Sequence, residues 1–483
     1  MNIQPKVVRH TKIVATLGPA TDNLSVMEQI ISEGVDMVRL NFSHGTHEEH
    51  KQRMELVRTA AKNKHKIVGI LADLQGPKIR VANFVEGKIH LKEGDHFILD
   101  ADMHHDEGTQ EKVGIDYKEL PNDVSAGDTL LLDDGRLVFS VKEIKNNQIH
   151  CTVVVGGILS NHKGINRKGG GLTAPALTDK DIKDLKFVVE QGVDYIAVSF
   201  PRDASDMNYA KQLIAEAGGE AGVIAKIERA EAVTNLDEII EASDGVMVAR
   251  GDLAVEIGDA EVPVVQKRII RRARALNKPV ITATQMMESM IHSQMATRAE
   301  VSDVANAVLD YTDAVMLSAE SAVGDNPITV VRTMSRICIV AEQDPSAQVS
   351  GHRIECQFGR IDEAIAMATM YTANHLNIRA VVALTESGNT TLWMSRIKTA
   401  MLIYGLSRHR RALGRMTLYR GVFPVYFDVT RCTRDEVNPA AITILEKQGI
   451  VQKGDVVILT KGDHIGVGGC ANAMKILKVG EVL

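Results

Sequence analysis

Two short apolar runs near the middle of the chain each end in charged side chains. The run "VIAKIER" ends in Lys226, Glu228 and Arg229, and "GVMVARGDLAVEI" carries Arg250 and Asp252. Continuous apolar runs are typical of parallel strands buried on both faces, so these groups are expected at one end of a sheet, where α/β enzymes do their chemistry. We predict that Glu228 and Asp252 bind one hard divalent cation. Lys226 and Arg250 then attract a phosphorylated anionic substrate to the same place.

Lys226 is the strongest of these candidates by its placement. The segment "IAKIE" puts its ammonium group inside an apolar strand, where a charge is costly unless it meets an anion. The carboxylates of Glu228 and Asp252 have a structural alternative, because they could form salt bridges with Arg229 and Arg250. The sequence leaves that alternative open.

Other predicted strands are followed by polar side chains in the same way. These residues are Arg39, Asn41, Ser43 and His44 after the second strand, Asp73, Lys78 and Arg80 after the third, Thr284 after the seventh, and Ser318 and Glu320 after the eighth. Strand-end capping or a surface ion network is the structural alternative for the second and third groups. Stability alone does not favour so many polar groups at one rim, so we interpret the rim as a site.

Eight strand and helix units must position these groups. The strands are "KIVATLG", "DMVRLNFSHG", "KIVGILADLQGPKIR", "DYIAVSF", "VIAKIER", "GVMVARGDLAVEI", "KPVITATQMMESM" and "TDAVMLSAES". Eight parallel strands that alternate with helices predict an α/β fold with a (β/α)₈ TIM barrel. Residues 1–76 and 173–345 are expected to form this barrel.

Two further regions depart from the barrel rhythm. Residues 77–172 contain short alternating runs separated by Gly, Asp and Asn turns, which predicts an inserted antiparallel β lid domain. The lid ends at "KGINRKGGG", whose glycines are expected to act as a hinge. Within it, "MHHDEG" is interpreted as a solvated loop. Residues 346–483 are predicted to form a small doubly wound α/β domain.

Composition excludes several classes of protein. A formal charge of -6 over 483 residues argues against a protein that coats nucleic acid or binds a membrane surface. The sequence has no apolar window of ~18 residues and no signal peptide at its start, so a cytoplasmic location without membrane partners is expected. Five cysteines without a C-x-x-C pair are typical of reduced thiols.

The C-terminal region contains two turns that could receive a phosphate. The turn "TESGNTT" leaves a strand and enters a helix, and its candidate groups are Thr385, Ser387, Gly388 and Thr390. "GDHIGVGG" is a second loop of this kind. Strand-to-helix turns are also rich in Gly and Ser for conformational reasons, so either loop alone is a weak signal.

Taken in order, the motifs resemble those of the pyruvate kinases over nearly the whole chain. The matching segments are "KIVATLGPA", "RLNFSHG", "GPKIR", "AKIER", "ARGDL", "TQMMESM", "TRAEVSDVANAVLD" and "MLSAES". The resemblance implies transfer of the phosphoryl group of phosphoenolpyruvate to ADP, giving pyruvate and ATP, with Mg²⁺ or Mn²⁺ as cofactor. It also implies a closing lid, a regulatory C-terminal domain and a homotetramer.

The same resemblance assigns roles to the rim residues. Glu228 and Asp252 are expected to ligate Mg²⁺, and Arg39 and Lys226 to neutralise the phosphoryl group in transfer. The substrate carboxylate is expected at the backbone of Gly251 and Asp252. The remaining roles are nucleotide binding by Asn41, His44 and Arg80, and proton delivery by Thr284 through a water relay that involves Ser318.

Some positions differ from the commonest family pattern. Asn41, Ser43 and Asp73 match the family's K⁺ ligands, but Leu74 replaces a threonine and Lys78 replaces a glutamate. We interpret the Lys78 ammonium as a substitute for the cation and predict that K⁺ is not required. The loop "GDHIGVGG" differs from that of members activated by fructose 1,6-bisphosphate, which favours a monophosphate effector such as a sugar monophosphate or AMP.

Two other functions remain compatible with the residues. A metal-dependent lyase or aldolase that acts on pyruvate enolates shares the carboxylate and metal chemistry. A non-catalytic sugar-phosphate sensor needs only the C-terminal domain. The lid and the Lys226 and Arg39 pair favour the kinase, since an aldolase needs no nucleotide site.

Overall fold

The first segment of the chain forms three strands and two helices. The computed structural model describes residues 8–348, 357–463, 469 and 471–481. Within it, the first elements are β1 (Lys12–Thr16), α1 (Leu24–Glu33), β2 (Met37–Asn41), α2 (His47–Asn63) and β3 (Gly69–Asp73).

Local capping explains where both helices begin. Asn23 Oδ1 accepts a hydrogen bond from the Ser25 amide at the start of α1. Thr46 and Glu49 form a reciprocal capping box at the start of α2. These side chains satisfy amide groups that have no partner within the helix.

An inserted β domain follows β3. Its elements are β4 (Lys88–Leu91), β5 (His96–Asp100), β6 (Lys112–Gly114), α3 (Leu120–Asp123), β7 (Thr129–Leu132), β8 (Leu137–Lys145), β9 (Gln148–Val155), β10 (Gly157–Ser160) and β11 (Ile165–Arg167). They form a six-stranded sheet in the order β11-β7-β8-β9-β5-β6 and a two-stranded sheet of β10 and β4. The pairing is antiparallel except between β5 and β6, which are parallel.

The chain then returns to alternating helices and strands. These elements are α4 (Asp179–Glu190), β12 (Tyr195–Val198), α5 (Ala204–Glu216), β13 (Gly222–Ile227), α6 (Ala230–Thr234), α7 (Leu236–Ala242), β14 (Gly245–Ala249), α8 (Arg250–Ile257), α9 (Val262–Ala275), β15 (Val280–Ala283), α10 (Arg298–Leu309), β16 (Ala314–Leu317), α11 (Ala319–Ala322) and α12 (Pro327–Ala341).

Eight of these strands close into one parallel barrel, which confirms the predicted (β/α)₈ fold. Their order is β1-β16-β15-β14-β13-β12-β3-β2. Most strand residues are buried because one face packs in the barrel and the other against the helices. The shared strand direction places the end of every strand at the same rim.

The C-terminal domain is a second α/β layer structure. It consists of α13 (Ile361–His375), β17 (Ala380–Leu384), α14 (Asn389–Ser395), β18 (Ile403–Ser407), α15 (Arg410–Met416), β19 (Val422–Tyr426), α16 (Val437–Lys447), β20 (Val456–Gly462) and β21 (Ala471–Lys478). The strand order β19-β18-β17-β20-β21 reverses at β17, as in doubly wound domains. Sequence reasoning missed β19 and the antiparallel edge strand β21.

Some predicted features lie outside the described residues. These are residues 464–468 of the "GDHIGVGG" loop, Cys356 and Cys470. None of the helices in the described part of the chain combines the length and the apolar character that crossing a bilayer requires.

Candidate active site

Lys226 lies at the centre of a buried polar cluster at the barrel rim. Its Nζ, near the end of β13, lies 2.7 Å from Ser199 Oγ, 3.0 Å from Glu228 Oε1 and 3.2 Å from Asp73 Oδ1. Ser199 in turn donates to the carbonyl of Leu74. The ends of three neighbouring strands therefore converge on one ammonium group.

The charges within this cluster strongly affect one another. Burial lowers the pKa of Lys226, but the carboxylates of Asp73 and Glu228 outweigh it and raise that pKa to about 12. Burial also raises the pKa of Glu228, to about 7, against the pull of Lys226. Burial alone would raise the pKa of Asp73, but the positive charges of Lys226 and Arg39 lower that pKa below its usual value. The ammonium group is thus fixed in its charged form.

Arg39 joins the same cluster from β2. Its Nε donates to Asp73 Oδ2 at 2.6 Å, and its Nη1 donates to Thr16 Oγ1 at 3.1 Å. Asp73 therefore lies between two cations, Arg39 and Lys226. This arrangement presents two positive charges at the barrel mouth and holds them in place with one buried carboxylate.

The two predicted metal ligands lie at the ends of adjacent strands. Glu228 is buried, and its Oε2 accepts a hydrogen bond from the amide of Phe200 at 2.9 Å. Asp252 lies in the first turn of α8, and its charge contributes to the raised pKa of Glu228. Phe200 has φ of 55°, a left-handed conformation that is rare for a bulky residue and marks a constrained site.

These two carboxylates suit a hard divalent ion. Oxygen ligands from one or two carboxylates, with the other positions left to water and substrate, are typical of Mg²⁺. Among the described residues, no group of three or more His, Cys, Asp or Glu side chains encloses a metal position. Glu228 and Asp252 are therefore the residues that could supply two of the ligands of such an ion.

The arginines near these ligands have other partners. Arg229 lies 3.6 Å from Glu231, and Arg250 Nη1 lies 2.7 Å from Asp303. Arg250 also donates to the carbonyl of Thr284. The structure therefore does not show the alternative salt bridges of Arg229 and Arg250 with Glu228 and Asp252. Arg250 instead stabilises the rim through Asp303 and the Thr284 carbonyl.

Lys78 contacts the predicted metal ligand. Its Nζ lies 2.9 Å from Asp252 Oδ1 and 3.7 Å from Asp134 Oδ1 in the turn between β7 and β8. Burial lowers the pKa of Lys78, but Asp252 outweighs it and raises that pKa above its usual value. Lys78 thus connects the barrel rim with the inserted domain.

Gly251 follows β14 beside Asp252, and Thr284 and Ser318 follow the ends of β15 and β16. The Gly251 amide donates to Thr284 Oγ1 at 3.0 Å, and that hydroxyl donates to the Ala283 carbonyl at 2.7 Å. Thr284 has a φ of 63°, unusual for a β-branched residue. Ser318 Oγ is a buried hydroxyl without a hydrogen-bond partner in the described part of the structure. A buried hydroxyl without a partner is rare, which marks Ser318 as a candidate for a functional role.

The residues predicted for the nucleotide side are more exposed. Asn41 Oδ1 accepts from the Ser43 amide at 3.1 Å, which orders the turn after β2, and His44 follows on the surface. Arg80 Nη1 donates to the carbonyl of His162 in the inserted domain at 2.9 Å.

The inserted domain is attached to α8 at its base. Asn166 of β11 donates to Glu256 Oε1 at 3.2 Å, and the Gly169 amide donates to the Glu256 carbonyl at 3.3 Å. The next two residues, Gly170 and Gly171, have positive φ as Gly169 does, a conformation that glycine adopts readily. Glu256 lies one turn beyond Asp252 on the same helix.

Sequence reasoning missed three residues that shape this site. Ser199 and Thr16 accept hydrogen bonds from Lys226 and Arg39, and Asp303 neutralises Arg250. Ser199 and Thr16 both stand at ends of predicted strands, which is a signal that could have identified them. Asp303 lies inside α10, where an acidic side chain does not stand out.

The C-terminal domain contains a separate cavity beside α14. Its lining includes Thr385, Ser387, Thr390 and the cations Arg408, Arg434 and Lys461. Gly388 has a φ of 89°, and its amide donates to Thr385 Oγ1 at 2.9 Å. Hydroxyl groups and cations thus face one space, together with the carboxylates of Asp362, Glu386 and Asp463.

Comparison with known proteins agrees with this geometry. A family model for the pyruvate kinase barrel domain matches residues 8–331, and one for the pyruvate kinase alpha/beta domain matches residues 363–477. Pyruvate kinase II of Salmonella typhimurium is 54% identical over 478 residues, which cover 98% of this chain and 99% of the relative.

Two other relatives extend the similarity. Pyruvate kinase of Haemophilus influenzae is 53% identical over 459 residues, covering 94% of this chain and 96% of the relative. That of Staphylococcus epidermidis is 42% identical over 478 residues, covering 98% and 81%. With both domains matched and the barrel rim formed as described, the chain belongs to the pyruvate kinase family.

Proposed function

We propose that this protein transfers the phosphoryl group of phosphoenolpyruvate to ADP and releases pyruvate and ATP. The observation that carries the proposal is the cluster in which Lys226 and Arg39 flank Asp73 at the barrel rim. In-line phosphoryl transfer spreads negative charge over the equatorial oxygens and the leaving group, so fixed cations stabilise its transition state. Membership of the pyruvate kinase family supports the same reaction.

Lys226 is assigned the largest catalytic role. Its charged state is held by Asp73 and Glu228, so it needs no reorganisation when charge develops on the phosphoryl group. Arg39 supplies a second donor from the opposite side of Asp73. Both cations are already positioned before substrate arrives.

Glu228 and Asp252 would hold Mg²⁺ or Mn²⁺. Such an ion supplies Lewis-acid polarisation of the phosphoryl and carboxylate oxygens of the substrate. The amides of Gly251 and Asp252, at the start of α8, are suited to the substrate carboxylate because a helix N-terminus favours an anion. Asn41, His44 and Arg80 are assigned to the nucleotide.

Proton delivery to the enolate carbon is assigned to Thr284 and Ser318. The hydroxyl of Thr284 lies beside Gly251, where the substrate carboxylate is assigned. The unpartnered hydroxyl of Ser318 can hold a water that completes the relay.

Lys78 is proposed to make K⁺ unnecessary. Its ammonium lies against Asp252 at the rim and provides fixed positive charge where many relatives carry a glutamate. Asn41, Ser43 and Asp73 remain as equivalents of the family's K⁺ ligands, and Asp73 is already neutralised by Arg39 and Lys226.

Residues 77–172 are proposed to act as a lid over this rim, and residues 346–483 as a regulatory domain in a homotetramer. The cavity beside Thr385, Ser387, Gly388 and Thr390 is assigned to a phosphorylated effector, preferably a monophosphate. The cations that line it support this class of ligand.

The test is pyruvate and ATP formation from phosphoenolpyruvate, ADP and Mg²⁺, measured once with K⁺ and once with Na⁺. Turnover in both media supports the kinase and the role of Lys78. Turnover only in K⁺ supports the kinase and contradicts the role of Lys78. No turnover in either contradicts the kinase and favours an enolate lyase or a sensor.

A further inference from the structure

Four arginines gather where the C-terminal domain meets the bottom of the barrel, far along the strands from the rim. Arg58 lies on α2 of the barrel, and Arg410, Arg411 and Arg415 lie on α15 of the C-terminal domain. A crevice there is lined by Arg410, Arg411, Asp194 and Glu220. We call these four lining residues, together with the neighbouring Arg58 and Arg415, the arginine crevice.

The positive charges of the arginine crevice exceed the negative ones. Glu220 forms an ion pair with Arg411 at 2.7 Å. Within the described part of the chain, Arg58, Arg410 and Arg415 have no ion pair with a carboxylate. Arg58 and Arg410 are near enough that Arg410 lowers the pKa of Arg58, although burial contributes more.

Asp194 compensates only one of these cations. It precedes β12, and its Oδ2 accepts a hydrogen bond from the Ile70 amide at 2.8 Å. Burial raises its pKa to about 6, although Arg410, Arg58 and Arg415 all act to lower it. Three guanidinium groups therefore act on a single carboxylate, which can balance only one of them.

Two of the guanidinium groups also have unused donors. The Nε atoms of Arg58 and Arg415 are buried and have no hydrogen-bond partner in the described structure. Arg58 uses another nitrogen to donate to the Gln191 carbonyl, and Arg415 donates to the Glu220 carbonyl at 3.1 Å. Both side chains are therefore held in place with a donor unsatisfied, which is costly unless a ligand or water meets it.

The crevice joins two domains that pack closely. A β-carbon on Gly414 of α15 would lie 1.7 Å from Asp194 Oδ1, so only glycine fits there. The Tyr195 hydroxyl donates to the Arg415 carbonyl at 3.3 Å. A ligand between Arg58 and Arg410 would contact both the barrel and the C-terminal domain.

We propose that the arginine crevice binds a phosphate-type anion that bridges the barrel and the C-terminal domain. A phosphate group presents several oxygens to guanidinium forks and matches them better than a carboxylate or chloride does. The crevice is separate from the cavity beside Thr385, which has different cations. The proposal does not depend on the reaction at the rim.

Crystals of the full chain soaked in selenate locate such an anion directly, because selenium scatters anomalously. The expected result is a peak within hydrogen-bond distance of Arg58 and Arg410. The peak should disappear in Arg410→Ala and in Arg58→Ala/Arg410→Ala. Absence of the peak, or its survival in the double variant, overturns the proposal.

Calorimetry with inorganic phosphate provides the test in solution. The Arg410→Ala variant changes a single exposed side chain. Because charge-assisted hydrogen bonds are lost, phosphate is expected to bind at the crevice about tenfold more weakly, or weaker still. Arg271→Ala, an exposed arginine on α9, is the matched control and should bind as the wild type does. Arg434→Ala affects only the separate cavity.

The outcomes separate a built site from an incidental one. A selenate peak without any difference in phosphate binding between the wild type and Arg410→Ala means an adventitious ion only and overturns the proposal. Parallel titrations with a sugar monophosphate and AMP show whether the phosphate comes from a sugar, a nucleotide or free phosphate. Binding of any of them that requires Arg410 supports the crevice.

Discussion

Lys78 Nζ lies 2.9 Å from Asp252 Oδ1, so a lysine of the inserted domain's first linker contacts a predicted metal ligand of the barrel. The same ammonium lies 3.7 Å from Asp134 in the lid turn. One positive charge is therefore shared between a predicted metal ligand and the inserted domain. Under the proposed function, this fixed charge takes over the electrostatic role of a dissolved monovalent cation.

Replacing Lys78 should make turnover depend on K⁺. We expect Lys78→Glu to be at least ~10-fold faster in K⁺ than in Na⁺, because a fixed cation that stabilises developing charge is lost and a carboxylate is added. Lys78→Met, which removes the charge alone, is the matched control and should show a smaller dependence. Steady-state rates at saturating substrates check this, and equal rates of Lys78→Glu in both salts would contradict it.

Removing the ammonium of Lys226 should affect both rate and stability. We expect Lys226→Ala to lower kcat by at least ~10²-fold, the scale of losing one preorganised charge at a developing oxyanion. The variant stays folded, but its free energy of unfolding falls by roughly 3 to 5 kcal/mol because Asp73 and Glu228 lose their buried partner.

The matched control for Lys226→Ala is Lys183→Ala, an exposed lysine on α4. It should retain the wild-type kcat and melting temperature. Steady-state kinetics and urea unfolding followed by circular dichroism measure the two effects. A near-normal kcat in Lys226→Ala would remove this residue from the mechanism.

The barrel was predictable because its strands are continuous apolar runs and helical segments alternate regularly with them. The helix beginning at Asp179 illustrates this, since Thr178 caps it as its sequence indicates. Two C-terminal strands were missed for local reasons. "VFPVY" contains a proline, and "ANAMKILK" has few β-branched residues, so neither resembles a typical strand.

The rim residues were predictable as a set, but their contacts were not. Position at a strand end follows from local pattern, and it brought Lys226, Arg39 and Asp73 to one place. The contact of Lys78 with Asp252 depends on how the inserted domain lies over the barrel, and no local pattern specifies that. The partner of Arg250, Asp303, depends equally on helix packing.

Asp194 should make stability depend on pH in a defined window. Its pKa is raised from 3.8 to about 6 by burial, so its contribution to stability is fully present below pH 3.8 and is lost as the pH rises through about 6. The Asp194→Asn variant has no carboxyl group at this position, so it does not lose this stability as the pH rises. The free energy of unfolding of the variant, relative to the wild type, should therefore rise by up to about 3 kcal/mol between pH 4 and pH 7.

Urea unfolding in phosphate-free buffers at several pH values measures this difference. The three arginines that face Asp194, namely Arg58, Arg410 and Arg415, stay charged throughout the range. Asp435→Asn, which changes an exposed carboxylate of the C-terminal domain, is the control and should show no comparable trend. A difference that is constant with pH would show that Asp194 titrates normally.

Glu256 should position the lid and leave the chemistry of the rim in place. Glu256→Ala removes the hydrogen bond from Asn166 and leaves that buried amide without its acceptor. We expect KM for ADP to rise by about tenfold with a smaller change in kcat, since the lid is held less firmly to α8. Proteolysis within residues 168–171 should also become faster.

The exposed Glu238 on α7 provides the matched control for this experiment. Glu238→Ala should leave KM and the rate of proteolysis unchanged. Loss of kcat in Glu256→Ala without any change in KM or proteolysis would place Glu256 in the chemistry and contradict a positioning role.

Ser318 should act in proton delivery after phosphoryl transfer. Its buried hydroxyl has no partner in the described structure, whereas the Thr284 hydroxyl is held between Gly251 and Ala283.

Ser318→Ala removes the position for a relay water and should slow exchange of pyruvate methyl protons with solvent deuterium by ~10²-fold, the scale of one general acid or base. Thr284→Ala should slow the same exchange. Nuclear magnetic resonance of pyruvate in D₂O measures it, with Ser293→Ala, which changes an exposed serine between β15 and α10, as control. Because the metal and the cations stay in place, the binding of phosphoenolpyruvate should change little, and a large loss of that binding with normal exchange would assign Ser318 to substrate binding.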